Sequence, residues 1–389
     1  MIKITNRIAA VAFAGALLTT SALGSTAIAF AEGNAAASDS TAEAAVVVKA
    51  DGTEEHHQAD LALAAEIAAD PEGTHTVVDA FGNELEIPNT VDSIVVPFPA
   101  ATQMVLGLGA ADLLSGCYIL DTDMNETMFG DYMDKVTLIK PSEINIEVVM
   151  NCDPDFAVVP SQGQKDTIAE ANVPTILFNG TSFDNMANTV HIIAEAIGTE
   201  EALEKADAYR AFYDELVQTV GDMTKDVADE DRPRVFICTE DDGLSTAQIG
   251  GIVSDWIYLS GGISICDVLG ITDNEPTLTA EQILEADPDI IICTTVAGRD
   301  AILGNSAFDN VKAVKNGKVY MNPLGGSVWF KAHFEAPLQL AWAPTIISPG
   351  LCSELDTRAY VDEFYQTFYG YTVTDEDYET IMNPTVGSR

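Results

Sequence analysis

The chain has 389 residues, 47% of them apolar and 7% aromatic, which is enough for more than one domain with a sizeable core. Its 18 Lys and Arg stand against 61 Asp and Glu, a formal charge of −43. A field of that sign repels phosphate backbones and anionic lipid surfaces, which argues against nucleic acid as a partner and against membrane docking through a basic patch.

Residues 1–31 carry Lys3 and Arg7, then an uncharged stretch over 8–30, then Ala29-Phe30-Ala31 before Glu32. This pattern predicts a secretory signal peptide and an exported protein. An uncleaved anchor is the alternative, because the stretch is long enough to span a bilayer; its Gly, Ser, Thr and Ala residues weaken that reading. Over 32–75 ten acids face a single base, Lys49, which predicts a disordered acidic linker with a short helix at 61–69. His56-His57 within it are read as exposed side chains rather than metal ligands.

Residues 76–87 read as a hairpin around Gly82-Asn83. Strand-length apolar runs at 93–97, 113–118, 136–139, 156–160 and 175–178 then alternate with helix-like segments, which predicts a mainly parallel sheet flanked by helices. Thr199 is a natural N-cap for one long helix over 200–226, about 40 Å at 1.5 Å per residue. Arg232-Pro233 breaks that pattern, and a second alternating set follows at 234–238, 252–259, 278–286, 290–294 and 319–321, with helices from Glu335 to the end.

An internal echo orders these pieces. Residues 144–159 align without a gap on residues 278–293, so that Asp153-Pro154-Asp155 matches Asp287-Pro288-Asp289. Each copy describes a short helix ended by Asp-Pro and followed at once by a buried strand. The expected fold is therefore α/β: two similar lobes with mainly parallel sheets, joined by a single long helix, with a ligand cleft between them. The boundaries are a signal at 1–31, a linker at 32–75, an N-terminal lobe at 76–198, the linking helix at 199–230, and a C-terminal lobe with terminal helices at 231–389.

At Val77-Val78-Asp79-Ala80-Phe81-Gly82, Ala101-Thr102-Gln103, Leu106-Gly107, the two Asp-Pro-Asp units and Asn316-Gly317-Lys318-Val319-Tyr320, the sequence resembles the substrate-binding proteins of ABC importers, in the class that delivers ferric siderophores, haem and cobalamin. The resemblance implies a monomeric, non-enzymatic, extracytoplasmic receptor that hands a small-molecule metal chelate to membrane permease subunits. It also implies permease docking through a carboxylate on each lobe. Here the matching positions are Gln103, where the family commonly has Glu, and Asp255. Relatives often carry a lipid-anchor Cys near the start, whereas the first Cys here is Cys117.

Ligands of open α/β sheets collect at the carboxyl ends of the strands, so loops there supply the candidates. Lys165, Arg299 and Lys331 are the bases expected to meet an anionic chelate. Phe98, Tyr118 and Trp329 are expected to pack against it, and His333 or Tyr118 offers an axial ligand to a haem iron. Beyond the linker the chain has only His191 and His333, with His75 at the boundary, so no site for a bare metal and no resident cofactor are expected. The six cysteines form no Cys-x-x-Cys, and free buried thiols are expected for Cys117, Cys238 and Cys293. Gly-x-Ser-x-Gly, phosphate-loop and His-Glu-x-x-His motifs are missing, which argues against an enzyme. Two alternatives stay open: a molybdate-like oxyanion binder of the same fold using Arg299, and a surface interaction protein without a permease.

Overall fold

The computed structural model describes residues 54–385 apart from 143, 248–250, 272 and 274. The predicted signal and the first part of the linker, through residue 53, lie outside these residues. From Glu54 the linker is a 16-residue helix, Glu54–Ala69, which takes in the short helix expected at 61–69 and extends it over residues expected to be disordered. Counting acids hid its apolar stripe. Ala64 and Ile67 are buried, and Ile67 fills the space beside Gly198, where a Cβ would come within 2.8 Å of its Cδ1. Alanine and leucine favour the helix, and the buried stripe fixes it in place.

The predicted hairpin is present: β1 (Thr74–Val78) and β2 (Glu84–Pro88) pair antiparallel. Buried Asp79 closes the turn by accepting the amides of Phe81 and Asn83 on Oδ1, and Gly82 takes a φ of 80° that a side chain would resist.

Next come β3 (Ile94–Val96), β4 (Leu114–Cys117), β5 (Thr137–Leu138), β6 (Phe156–Val159) and β7 (Thr175–Leu177), which form a parallel sheet in the order β5-β4-β3-β6-β7. Strands β8 (Arg234–Cys238), β9 (Ile263–Ser264), β10 (Ile290–Cys293) and β11 (Val319–Met321) form a second parallel sheet, β11-β10-β8-β9. Starting from its other edge, the first sheet runs β7-β6-β3-β4, the same path. The internal echo is thus a repeat of topology, and it extends to atoms. Asp153 and Asp287 both turn left-handed past a short helix, at φ 46° and 44°. Asp155 then exchanges hydrogen bonds with Ser93, and Asp289 with Arg234, each fastening the start of the neighbouring strand.

The lobes are joined by the helix Glu200–Thr224, capped by Thr199, whose side chain accepts from the Ala202 amide. At 25 residues it spans about 37 Å. Leu203, Ala206, Tyr209, Tyr213, Leu216 and Val220 recur at helical spacing and are all buried. One hydrophobic core runs from Ile94 and Phe156 of the first sheet, through this helix, to Val235 and Ile290 of the second. Smaller clusters cover the opposite faces of each sheet.

The terminal helices, expected with the second lobe, bridge back to the first. Tyr369 meets Phe129 edge-on at 5.5 Å, and its hydroxyl donates to Gln103 Oε1 at 2.9 Å. Sequence periodicity says which face of such a helix is apolar, not which lobe receives it.

Candidate functional site

Between the lobes lies a cavity of about 340 Å³. From the first lobe it is walled by Phe98, which follows β3, and by Phe178, Gly180 and Thr181, which follow β7. From the second come Ile252 and Val253 at the start of the helix Ile252–Leu259, together with Glu275, Lys331, Ala332 and His333. The first-lobe residues sit at strand carboxyl ends, where the parallel topology gathers loops. Across the cavity the lobes nearly touch: a Cβ on Gly180 would stand 2.5 Å from that of Ala332. A glycine is required there because of close approach, not because of backbone angle.

The lining combines an aromatic wall with a few polar groups. Phe98 packs edge-on against Phe178, with centroids 5.1 Å apart, and faces the His333 ring at 6.5 Å. Lys331 Nζ lies 3.4 Å from Glu275 Oε1 and 5.4 Å from the centre of the Phe330 ring. This is an exposed pairing that an incoming anion can replace. Burial, and then the charge of Lys331, push the His333 imidazole down to about 3, so it is neutral. Its Nδ1 is buried without a hydrogen-bond partner. A neutral imidazole with an unused nitrogen is a competent metal ligand or hydrogen-bond partner.

Phe98, Lys331 and His333 are therefore brought together, and four other expected contacts are not. Trp329 is fully buried and donates from Nε1 to Glu335 Oε2 at 2.9 Å, so it belongs to the core. Lys165 reaches away to Asp79 at 3.1 Å, where it neutralises a buried carboxylate. Arg299 is held by its neighbour Asp300 through Nε and Nη2 and does not line the cavity. Tyr118 is half-buried after β4, also away from the lining residues. Each sits at or near a strand end as expected, but loop direction decides which ends converge.

Gln103 also requires correction. It is fully buried, donating to Asn125 Oδ1 and the Gly326 carbonyl and accepting from the Tyr369 hydroxyl, so it has no surface to offer a partner. A carboxylate is not needed at a site whose role is to tie the first lobe to the 324–326 turn. Asp255 keeps partial exposure, and burial together with the charge of Asp184 raises its carboxyl to about 6.

One group behind the cavity escaped sequence reasoning. Glu335 is fully buried, accepts from Gly326 N, Trp329 Nε1 and the Tyr369 hydroxyl, and is raised by burial to about 7. It pins the loop that delivers Lys331 and His333. The signal was a lone acid at the head of the apolar run Phe334 to Ile347.

Comparison with known proteins decides the family. The family model described as Periplasmic binding protein matches residues 94–323, both sheets and the helix between them. The chain belongs to this family. Among curated relatives, the cobalamin-binding protein of Halobacterium salinarum is 25% identical over 255 residues, 63% of this chain and 65% of that protein. The Fe(3+)-citrate-binding protein YfmC of Bacillus subtilis is 24% identical over 212 residues, 51% of this chain and 62% of that protein. The chain thus spans less than two thirds of the length of these two relatives. Among solved structures, a periplasmic solute binding protein from Veillonella parvula has a TM-score of 0.69 at 19% identity, covering 81% of this chain and 98% of that one. The molybdate-bound MolA of Haemophilus influenzae has a TM-score of 0.68 at 18% identity, covering 77% and 99%. These likenesses carry the two-lobed fold. No helix among the described residues is long and apolar enough to cross a membrane.

Proposed function

We propose that this periplasmic binding protein is the exported, monomeric receptor of an ABC importer, which traps an iron chelate, haem or corrinoid between its lobes and presents it to a membrane permease. The observation that carries the reading is the inter-lobe cavity, where the aromatic wall of Phe98 and Phe178 faces Lys331 and His333. Aromatic rings suit a macrocycle or catecholate face, Lys331 suits the negative charge of a ferric chelate, and neutral His333 suits a metal centre. Relatives that bind cobalamin and ferric citrate support the ligand class. Of the two docking candidates Asp255 retains exposed surface, and no catalytic role is assigned to any side chain.

The size of the cavity favours one second reading. About 340 Å³ is near the lower end of small-molecule sites, so a macrocycle would need the lobes further apart, whereas a small oxyanion needs no opening.

Absorbance of the purified protein, followed by thermal-shift screening with ferric citrate, ferric siderophores, haem, cobalamin and molybdate, tests both. A ligand at 100 times its Kd adds about 2.7 kcal/mol of stability, a clear rise in Tm. A shift with molybdate alone selects the second reading. No shift with any of them turns the reading toward a surface interaction protein.

A further inference from the structure

Away from the cavity, three helices bring four metal-ligating side chains to one point. His56 and Asp60 lie one turn apart on the helix Glu54–Ala69, His191 is on the helix Phe183–Ile197, and Asp207 is on the linking helix. One ligand atom from each falls within 4.8 Å of all the others. The Nε2 atoms of His56 and His191 face each other at 3.2 Å, His191 Nε2 lies 3.4 Å from Asp60 Oδ1, and His56 Nε2 lies 3.7 Å from Asp60 Oδ2.

These separations have a physical reading. Zinc holds imidazole nitrogen and carboxylate oxygen at about 2.0 to 2.2 Å, so the edges of its tetrahedron measure roughly 3.3 to 3.6 Å. The His56–His191 and His191–Asp60 separations, 3.2 and 3.4 Å, fall close to that range, and His56 meets the other oxygen of the same carboxylate. Two imidazole nitrogens pointing at one another can share one proton at most, and Asp60, at 4% exposure, keeps Oδ2 buried with no hydrogen bond. A cation at the centre satisfies both at once. Around the four, His57 Nδ1 contacts Asp207 Oδ2 at 2.8 Å, the kind of outer contact that orients a metal-bound carboxylate, and Glu195 Oε1 stands 3.5 Å from His191 Nε2.

We propose that His56, Asp60, His191 and Asp207 form a binding site for a divalent transition-metal ion, with Zn²⁺ as the matching chemistry, which clasps the N-terminal helix to the first lobe and the linking helix. None of the four lines the inter-lobe cavity, so the site is separate from the ligand site and does not depend on the proposed function. Two imidazoles with two carboxylates, placed between elements rather than in a cleft, make it a structural clasp.

The full chain, free of any affinity tag, would be stripped with a chelator and titrated with Zn²⁺ in competition with a metal indicator. Co²⁺ in place of Zn²⁺ would report tetrahedral geometry through its visible absorption. The expected result is one ion per chain, with affinity reduced more than about 100-fold in His191→Ala, since even outer partners of a metal site are worth 10- to 100-fold. His56→Gln removes a ligand from the more exposed helix, should leave the circular-dichroism spectrum unchanged, and should show the same loss. His333→Ala, in the cavity, should keep full stoichiometry. Retention of the ion by both His56→Gln and His191→Ala, its loss in His333→Ala alone, or the absence of competitive binding by the wild type would each overturn the assignment.

Discussion

Phe334 lies flat against Tyr209, ring centroids 4.6 Å apart and planes 14° from parallel, so the residue next to cavity-lining His333 is stacked on the middle of the linking helix. The same ring occupies the space where a side chain on Gly107 would stand. Cleft, rod and first lobe therefore share one aromatic contact. Phe334→Ala should destabilise the protein by about 3 to 5 kcal/mol, the range for deleting a buried ring, read as a lower midpoint in urea. Gly107→Ala should also destabilise, because the added methyl overlaps Phe334. Unchanged midpoints in both variants would show that the packing is not as tight as described.

The two lysines expected at the ligand part company. Lys331 borders the cavity and pairs with exposed Glu275, whereas Lys165 neutralises buried Asp79. Lys331→Ala should weaken binding of an anionic chelate about tenfold or more while barely moving Tm, since a charge-assisted contact is worth about 1.5 to 3 kcal/mol. Lys165→Ala should lower Tm and leave affinity near wild type. Calorimetric titration beside thermal unfolding reads both, and the reverse pattern would place the ligand at the other lysine.

Gly180 and Ala332 approach so closely that a side chain at the first must push the lobes apart. Gly180→Val should therefore hinder closure and weaken ligand binding without unfolding either lobe. Small-angle scattering of the liganded protein should show a larger radius of gyration than wild type. Equal radii and equal affinities would mean that closure does not bring these two residues together.

Burial lifts Glu335 from an ordinary value of 4.5 to about 7, so the folded chain holds this proton more tightly than the unfolded chain. The resulting stability is fully present below the unfolded value and is lost as pH rises through the folded one. Glu335→Gln mimics the neutral acid. Between about pH 5 and about pH 8 the wild type should lose more stability than the variant. Parallel pH curves for the two would remove Glu335 as the cause.

All six cysteines are free, and five of them are buried; Cys152 is the more accessible one. Burial pushes the Cys117 thiol up to about 12 and Cys266 up to about 11. In the native protein a thiol reagent should modify Cys152 first and the others only on unfolding. Intact mass should be the same with and without reductant; a loss of two hydrogens per bridge would reveal disulfides.

Much of the fold was legible in the chain because its signals are local. An apolar run flanked by turns gives a strand wherever it sits, and Asp-Pro ends a helix by the geometry of its own ring, so Asp153-Pro154-Asp155 and Asp287-Pro288-Asp289 announced a repeated unit. Spacing along 202–220 likewise announced a helix with one buried face. Nothing local distinguishes Lys331, which borders the cavity, from Lys165, which seals a hairpin, or marks Gln103 as a buried tie. Those outcomes depend on where loops from distant strands meet. His56 shows the limit most plainly. Beside ten acids it reads as a solvated side chain, yet the fold carries it to His191, 135 residues away, because the stripe of Ala64 and Ile67 must be buried somewhere. Sequence set the elements and their repeat; the close packing of helix against helix decided which polar groups came to face one another.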